Sequence, residues 1–253
     1  MRVLVTGAAG GIGLEIAKAF QAENACVHVC DLADVLDAQR GALPSGVTGT
    51  AADVSNAEDV DRLFTEVRHE LGGLDALINN AAITGPTGPI ETNDPDHWLR
   101  TIQVNLIGAF HCIRRAVPLL REAGGGSIVN ISSIAGRLGY PERTAYAASK
   151  WALIGLTQSV AMEAGEAHIR VNAVLPGVVA GERQARVHAA RARTLGISDE
   201  EMHRRTVMNV SLRRKIEQRE VADLVLYLCS EAGSGVSGMS LGVCGNVETM
   251  RRD

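Results

Sequence analysis

Short β-branched runs alternate with longer stretches whose apolar residues recur at helical spacing, and this rhythm holds along the whole chain. Arg2–Thr6, Ala25–Cys30, Gly49–Val54, Leu74–Ala82, Ser127–Ser133, Ile169–Leu175 and Ser240–Cys244 read as strands. Between them, Leu14–Phe20, Ala57–Leu71, Trp98–Pro118, Ala145–Gly165 and Gln218–Ser230 read as wholly or mostly helical. Ser55 or Asn56 is placed to cap the helix that starts at Ala57. Residues 84–95, with three prolines and two glycines, read as a loop. Residues 181–215 change character: they are arginine-rich and helical, with little aliphatic patterning. No linker and no internal repeat interrupts the alternation. The pattern therefore predicts one α/β domain over residues 1–253, a doubly wound parallel sheet of about seven strands flanked by helices, with ligands at the carboxyl ends of the strands.

Several of those carboxyl ends carry chemistry. The first strand stops at Gly7-Ala8-Ala9-Gly10-Gly11-Ile12-Gly13, and a helix follows. Strand, glycine turn and helix are the context in which small residues let a backbone approach a pyrophosphate, with free helix N–H groups facing it. A tight turn made for steric reasons is the plainer alternative. The second strand ends at Asp31, one β-α-β step later, where a carboxylate accepts hydrogen bonds from adenosine ribose hydroxyls and repels a 2′-phosphate. No arginine or lysine occupies Ala8, Ala9, Leu32 or Ala33 to welcome that phosphate, so NAD is expected over NADP. Asp53 stands where it could reach an adenine amino group, although an aspartate before a helix is more often a structural turn. The fourth strand ends in Asn79-Asn80-Ala81-Ala82, and Asn105 falls inside a helix, where a buried amide needs partners. Ser132 and Ser133 end the fifth strand; Tyr146 and Lys150 share one helix face; Pro176-Gly177 closes the sixth strand.

Composition narrows the picture mainly by exclusion. The chain has 253 residues, a formal net charge of -4, 46% hydrophobic and 21% charged residues. That balance argues against general binding to nucleic acid or an anionic membrane. No apolar run is long enough to span a bilayer, and the first strand begins at Arg2, which leaves no room for a targeting segment. Five cysteines without a C-x-x-C, and seven histidines without ligand spacing, predict neither a disulfide framework nor a metal site. A reducing, cytoplasmic setting fits this usage.

Taken together, Thr6-Gly7-x-x-x-Gly11-Ile12-Gly13, Asn79-Asn80-Ala81, Asn105, Ser133, Tyr146-x-x-x-Lys150 and Pro176-Gly177 resemble the short-chain dehydrogenase/reductase family in its compact, single-domain branch, in order and in spacing. The resemblance covers essentially the whole chain and implies a Rossmann-type fold. It implies a catalytic tetrad of Asn105, Ser133, Tyr146 and Lys150. A free tyrosine titrates near ~10 and is a poor base at neutral pH, so an adjacent ammonium is needed to favour the phenolate. In this scheme Tyr146 moves the substrate proton and Ser133 holds the substrate oxygen. Lys150 also binds nicotinamide ribose, and Asn105 anchors a water leading from Lys150 to solvent. Cofactor contacts are implied at Gly7, Gly11, Ile12, Gly13, Asp31, Leu32, Asp53, Val54, Asn80, Ala81, Tyr146, Lys150, Pro176, Gly177 and Val179. A homotetramer is implied as well, with the helices bearing Asn105 and Tyr146 packed across a two-fold axis. The chain departs from the family pattern at Ala82, at Gly181 (where a threonine is frequent) and at Val243-Cys244-Gly245-Asn246.

The reaction expected is NAD-dependent interconversion of a secondary alcohol and a ketone. The segment 178–215 is expected to close over a small-molecule substrate. Within it Arg183 and Arg186 are candidate contacts to a polar, possibly anionic substrate such as a polyol, sugar, sugar acid or hydroxy acid. A solvated helix face paired with Glu182, Asp199, Glu200 and Glu201 is the plainer reading of those arginines. A 3-oxoacyl-thioester reductase is the alternative activity, against which Asp31 counts because that role usually goes with NADP. A sugar-nucleotide epimerase or dehydratase would need a longer chain. A non-catalytic NAD(H) sensor on the same fold is the alternative outside enzymes, although such proteins tend to lose the tyrosine or lysine kept here.

Overall fold

The computed structural model describes residues 1–181, 184–185, 189, 192–193 and 195–247. Seven parallel strands form one sheet: β1 (Arg2–Thr6), β2 (Cys26–Asp31), β3 (Thr48–Ala51), β4 (Ala76–Asn79), β5 (Gly126–Ile131), β6 (Ile169–Pro176) and β7 (Ser240–Val243). Their spatial order is β3-β2-β1-β4-β5-β6-β7, and every neighbouring pair is parallel. The order reverses between β1 and β4, and the crevice above that switch point is where such sheets bind ligands.

Both faces of the sheet are covered, which is why its strands read as continuous apolar runs. Val3, Val5, Ile78, Val129 and Ile131 point to one core, closed by α1 (Gly11–Ala22) and a C-terminal helix. The alternate residues Leu4, Leu77 and Ile128 point to the other, closed by α3 (Ala57–Leu71), α5 (Gly108–Glu122) and α6 (Thr144–Ala164). The remaining described α-helices are α2 (Ala33–Gln39), α4 (Pro95–Ile102), α7 (Asp199–Val207) and α8 (Gln218–Cys229), the last being the C-terminal helix named above.

Local chemistry sets the helix ends. Asn56 Oδ1 accepts from the N–H groups of Glu58 and Asp59, so Asn56 rather than Ser55 caps α3. Gly72, at φ 70°, ends it. The helix expected over Trp98–Pro118 is broken in register: Gln103–Ile107 form a π-turn between α4 and α5. The strands expected to reach Val54 and Ala82 stop at Ala51 and Asn79, because the chain there leaves the ladder and enters the crevice. No helix among the described residues is long and apolar enough to cross a membrane.

Candidate active site

The crevice is assembled from the ends of β1, β2, β4, β5 and β6. At β1 the glycine turn is fastened from the next strand. Asn80 Nδ2 donates to the carbonyls of Thr6 (3.0 Å) and Gly7 (2.7 Å), while Thr6 Oγ1 accepts from the N–H groups of Asn80 (3.0 Å) and Ala81 (3.1 Å). A Cβ on Gly13 would run into the Gly7 carbonyl and Asn80 Nδ2, so only glycine allows α1 to start this close. Gly10 and Gly11 have open space outside the turn. Helix α1 has no side-chain cap and no acid in its first turn, which leaves its N-terminal N–H groups and positive dipole end for an anion. Asp31 faces the same turn: its Oδ2 accepts from Ala9 N–H (3.0 Å) and its Oδ1 from Leu32 N–H (2.9 Å). These residues fit a nicotinamide dinucleotide, whose pyrophosphate the glycine turn would hold and whose ribose Asp31 would hold.

Asp53 is differently employed. Its carboxylate accepts from Ser55 N–H (3.0 Å), Ser55 Oγ (2.7 Å) and Arg100 (2.6 Å), and Arg100 also reaches Ser55 Oγ. Burial pushes its pKa up, but these hydrogen bonds outweigh burial and hold it below the ordinary carboxylate value. Asp53 thus clasps α4 to the end of β3, the structural-turn role weighed for it from sequence. Val54, next to it, is buried in the core.

At the end of β5 the two serines part company. Ser132 Oγ donates to the Lys150 carbonyl (2.8 Å) and is 3% exposed, so it fastens α6 to the strand. Ser133 Oγ accepts from Ala135 N–H (3.1 Å), and that bond leaves the Ser133 hydroxyl hydrogen itself available for donation. One turn apart on α6, Tyr146 and Lys150 face the crevice, with Lys150 Nζ 5.7 Å from the Tyr146 ring centre. Lys150 is 2% exposed, and its Nζ donates to the Ile131 carbonyl (2.8 Å). Burial lowers its pKa from 10.5 to about 7.

Asn105 lies in the π-turn, and its side chain is a clamp. Oδ1 accepts from Ile83 N–H (2.8 Å), and Nδ2 donates to the Ile83 carbonyl (3.0 Å) and to Ser149 Oγ (3.0 Å). Ser149 in turn donates to the Tyr146 carbonyl (2.7 Å), so the loop after β4 and the Tyr146 turn of α6 are held by one chain of bonds. Asn79 Oδ1, buried and without a hydrogen-bond partner, belongs to a residue that lines a small, partly open space together with Asn105 and Lys150.

On the far wall, Gly177 packs against Cys244, where a Cβ would come within 2.7 Å of the Cys244 Cα. The Val178 carbonyl and the Ala180 N–H both bond to Ile216, which turns the N–H and C=O of Val179 the other way. Gln218 Nε2 donates to the Ala180 carbonyl (3.0 Å) and fills the place a side chain on residue 181 would need. This accounts sterically for Gly181, and it is a feature the sequence pattern did not reveal. Arg183 and Arg186 lie outside the described residues. Of the other lid arginines, Arg204 and Arg205 both pair with Glu201 of their own helix, so the plainer reading holds for them. Far from the crevice, Glu66, His69 and Glu70 on α3 bring ligand atoms within 4.8 Å of one another, a grouping common on exposed helix faces without an ion.

A family model described as enoyl-(acyl carrier protein) reductase matches residues 7–245. The chain belongs to the short-chain dehydrogenase/reductase family. It is 35% identical over 252 residues to a trans-4-hydroxycyclohexanecarboxylate dehydrogenase of Sinomonas cyclohexanicum, covering 96% of this chain and 90% of the relative. It is 31% identical to a D-beta-hydroxybutyrate dehydrogenase of Rhizobium meliloti, covering 96% of each. Among solved structures, a point variant of actinorhodin polyketide ketoreductase with NADPH superposes with a TM-score of 0.90 at 32% identity, over 97% of this chain and 96% of that one. Membership makes the protein an oxidoreductase that works with a nicotinamide nucleotide on a small molecule, as the joint resemblance of its motifs implies.

Proposed function

We propose that the protein interconverts a secondary alcohol and a ketone using NAD. The observation that carries this reading is the buried Lys150 beside Tyr146, with Ser133 at the end of the adjoining strand. The nicotinamide ring, when bound, supplies the hydride acceptor or donor. Tyr146 takes the carbinol proton in oxidation and returns it in reduction, and an ammonium beside the phenol favours the phenolate. Ser133 donates a hydrogen bond to the substrate oxygen as charge develops on it. Lys150, with its pKa brought to about 7, can release and recover a proton near neutral pH. That proton would leave toward solvent through a water anchored at Asn105, which shares a small space with Lys150.

Asp31 supports NAD over NADP, because a carboxylate at the end of β2 would repel a 2′-phosphate. Gly7, Gly11, Ile12 and Gly13 would hold the pyrophosphate, and Leu32, Val54, Asn80 and Ala81 the adenosine side of the crevice. Pro176, Gly177 and the outward amide groups of Val179 would hold the carboxamide. Asp53 would meet adenine only with what its clasp to Arg100 leaves over. Among polar substrates, hydroxy acids come first, because the names of two relatives specify hydroxy carboxylates. A 3-oxoacyl-thioester reductase is the second reading, favoured by the likeness to a polyketide ketoreductase.

The test is NADH formation from NAD with a panel of polyols, sugars, sugar acids, hydroxy acids and hydroxyacyl thioesters, with Tyr146→Phe and an NADP arm as controls. Turnover that Tyr146→Phe abolishes supports the proposal. Tight NADH binding without turnover of any alcohol would point instead to a nucleotide sensor.

A further inference from the structure

One cation beside Tyr146 has no part in the chemistry above. Arg143 closes the turn that leads into α6, and its N–H donates to the Tyr140 carbonyl (3.2 Å) across Pro141 and Glu142. Glu142 sits at φ 60°, a left-handed conformation that such turns usually give to glycine or asparagine. The Gly88 N–H donates to the Glu142 carbonyl (3.0 Å), which ties the loop after β4 to the same turn. The guanidinium lies near two phenol rings, its central carbon 5.5 Å from the Tyr140 ring centre and 5.7 Å from that of Tyr146. Its Nε is buried and has no hydrogen-bond partner. No acid among the described residues pairs with Arg143; Arg137 and Arg170 also lack an acid, but their guanidinium groups donate to main-chain carbonyls.

A buried donor without a partner is uncommon enough in a folded protein to need a reason. The aromatic faces steady the guanidinium by cation–π attraction but leave its N–H edge unsatisfied. That edge is a planar fork matched to a carboxylate, and it stands beside the residue that handles the carbinol proton. We propose that Arg143 binds the carboxylate of the substrate, which makes the protein a dehydrogenase of hydroxy acids and a reductase of the matching keto acids. This deepens the reading given under the proposed function and rests on it. The guanidinium carbon stands 5.7 Å from the Tyr146 ring centre, so a carboxylate a few carbons from the carbinol is the anion it would meet. The anion contact is thus assigned to the start of α6 and not to the lid, whose Arg204 and Arg205 are already paired.

The test measures binding by calorimetry, with and without NADH, on the full-length protein and on Arg143→Gln and Arg143→Lys. The probes are trans-4-hydroxycyclohexanecarboxylate, D- and L-3-hydroxybutyrate, and the neutral amides of the same acids. The acid-to-amide affinity ratio is expected to be at least ~30 in the wild type, the worth of a strong charge-assisted contact. It should fall to near ~1 in Arg143→Gln and take an intermediate value in Arg143→Lys. NADH affinity should stay within about twofold throughout, and thermal melts report folding. Failure of all the acids to bind, equal binding of acids and amides by the wild type, or a ratio unchanged in Arg143→Gln would overturn the assignment. Neutral alcohols turned over with no preference for acids would sink this inference and leave the dehydrogenase reading standing. Carboxylate binding that depends on Arg143, in a protein that binds no NADH, would do the reverse.

Discussion

Replacing Lys150 by methionine should make the nucleotide-free protein more stable at acidic pH while abolishing activity. Lys150 is buried, its Nζ bonds to one main-chain carbonyl, and burial brings its pKa down from 10.5 to about 7. The sign follows from which state holds the proton. Between pH 7 and 10.5 the unfolded chain keeps the lysine proton and the folded one does not, so stability rises with pH across that window. A difference of 3.5 pH units at ~1.4 kcal/mol each means that holding a buried ammonium below pH 7 costs roughly 5 kcal/mol. From pH 6 to pH 9 the wild type should recover roughly 2–3 kcal/mol of this, and Lys150→Met has nothing to recover. The variant leaves the Ile131 carbonyl without its donor, at about 1–3 kcal/mol. Its net advantage is therefore roughly 2–4 kcal/mol at pH 6 and close to zero at pH 9. Urea unfolding followed by circular dichroism, at one protein concentration without nucleotide, reads both curves. Parallel dependence on pH in the two proteins, or a variant less stable at pH 6, would refute the argument that a buried, destabilising ammonium is retained for its chemistry.

Three further outcomes follow from the same geometry. Asp31→Ser combined with Leu32→Arg should move the ratio of kcat/KM for NAD over NADP by about 100-fold or more toward NADP, and a wild type that already uses both equally would remove the basis for this. Ser133→Ala should lower kcat by ~100-fold or more with unchanged NADH affinity. Ser132→Ala should instead lower the urea midpoint, by about 1–2 kcal/mol of stability, because the Lys150 carbonyl loses its donor. Leu99, Phe110, Trp151 and Met162 expose apolar side chains on α4, α5 and α6, so light scattering should give a tetramer that Phe110→Glu with Trp151→Glu dissociates, and a wild-type monomer would end that expectation.

What the sequence makes legible is whatever a short local pattern decides. Helix α3 runs from Ala57 to Leu71 as expected, because an asparagine cap, an apolar stripe and a glycine stop all agree. Strand β1 is equally plain, since a short β-branched run that ends at glycines and feeds two apolar cores has few other ways to fold. Helix α2 escapes the pattern because only Leu36 of its seven residues is buried, too little to set a period. The π-turn escapes it because one extra residue per turn shifts the apolar spacing only slightly, and what the turn accomplishes is carried by backbone bonds. Strands β3 and β4 are shorter than the pattern predicts for a related reason: Asp53, Asn80 and Ala81 continue the composition of a strand, but their N–H groups turn to the side chains of Asp59 and Thr6.

The same distinction separates the tetrad from the substrate contacts. Tyr146 and Lys150 sit one turn apart on one helix, so spacing alone places them together. Arg143 is adjacent to them in sequence but enters the site through a turn that holds Glu142 in a left-handed conformation, and no periodicity encodes that. Arg183 and Arg186 stand out in the sequence because arginines cluster around them, although clustering says nothing about which cation is left without an acid. In the crevice that question is decided by pairing: Arg100 is consumed by Asp53, Arg204 and Arg205 by Glu201, and Arg143 by two aromatic faces that satisfy its charge without using its hydrogen-bond donors. An arginine that only stiffened the start of α6 would be better paired, since a buried Nε without a partner forgoes a hydrogen bond worth about 1–3 kcal/mol. That cost makes sense when the missing partner arrives with the substrate.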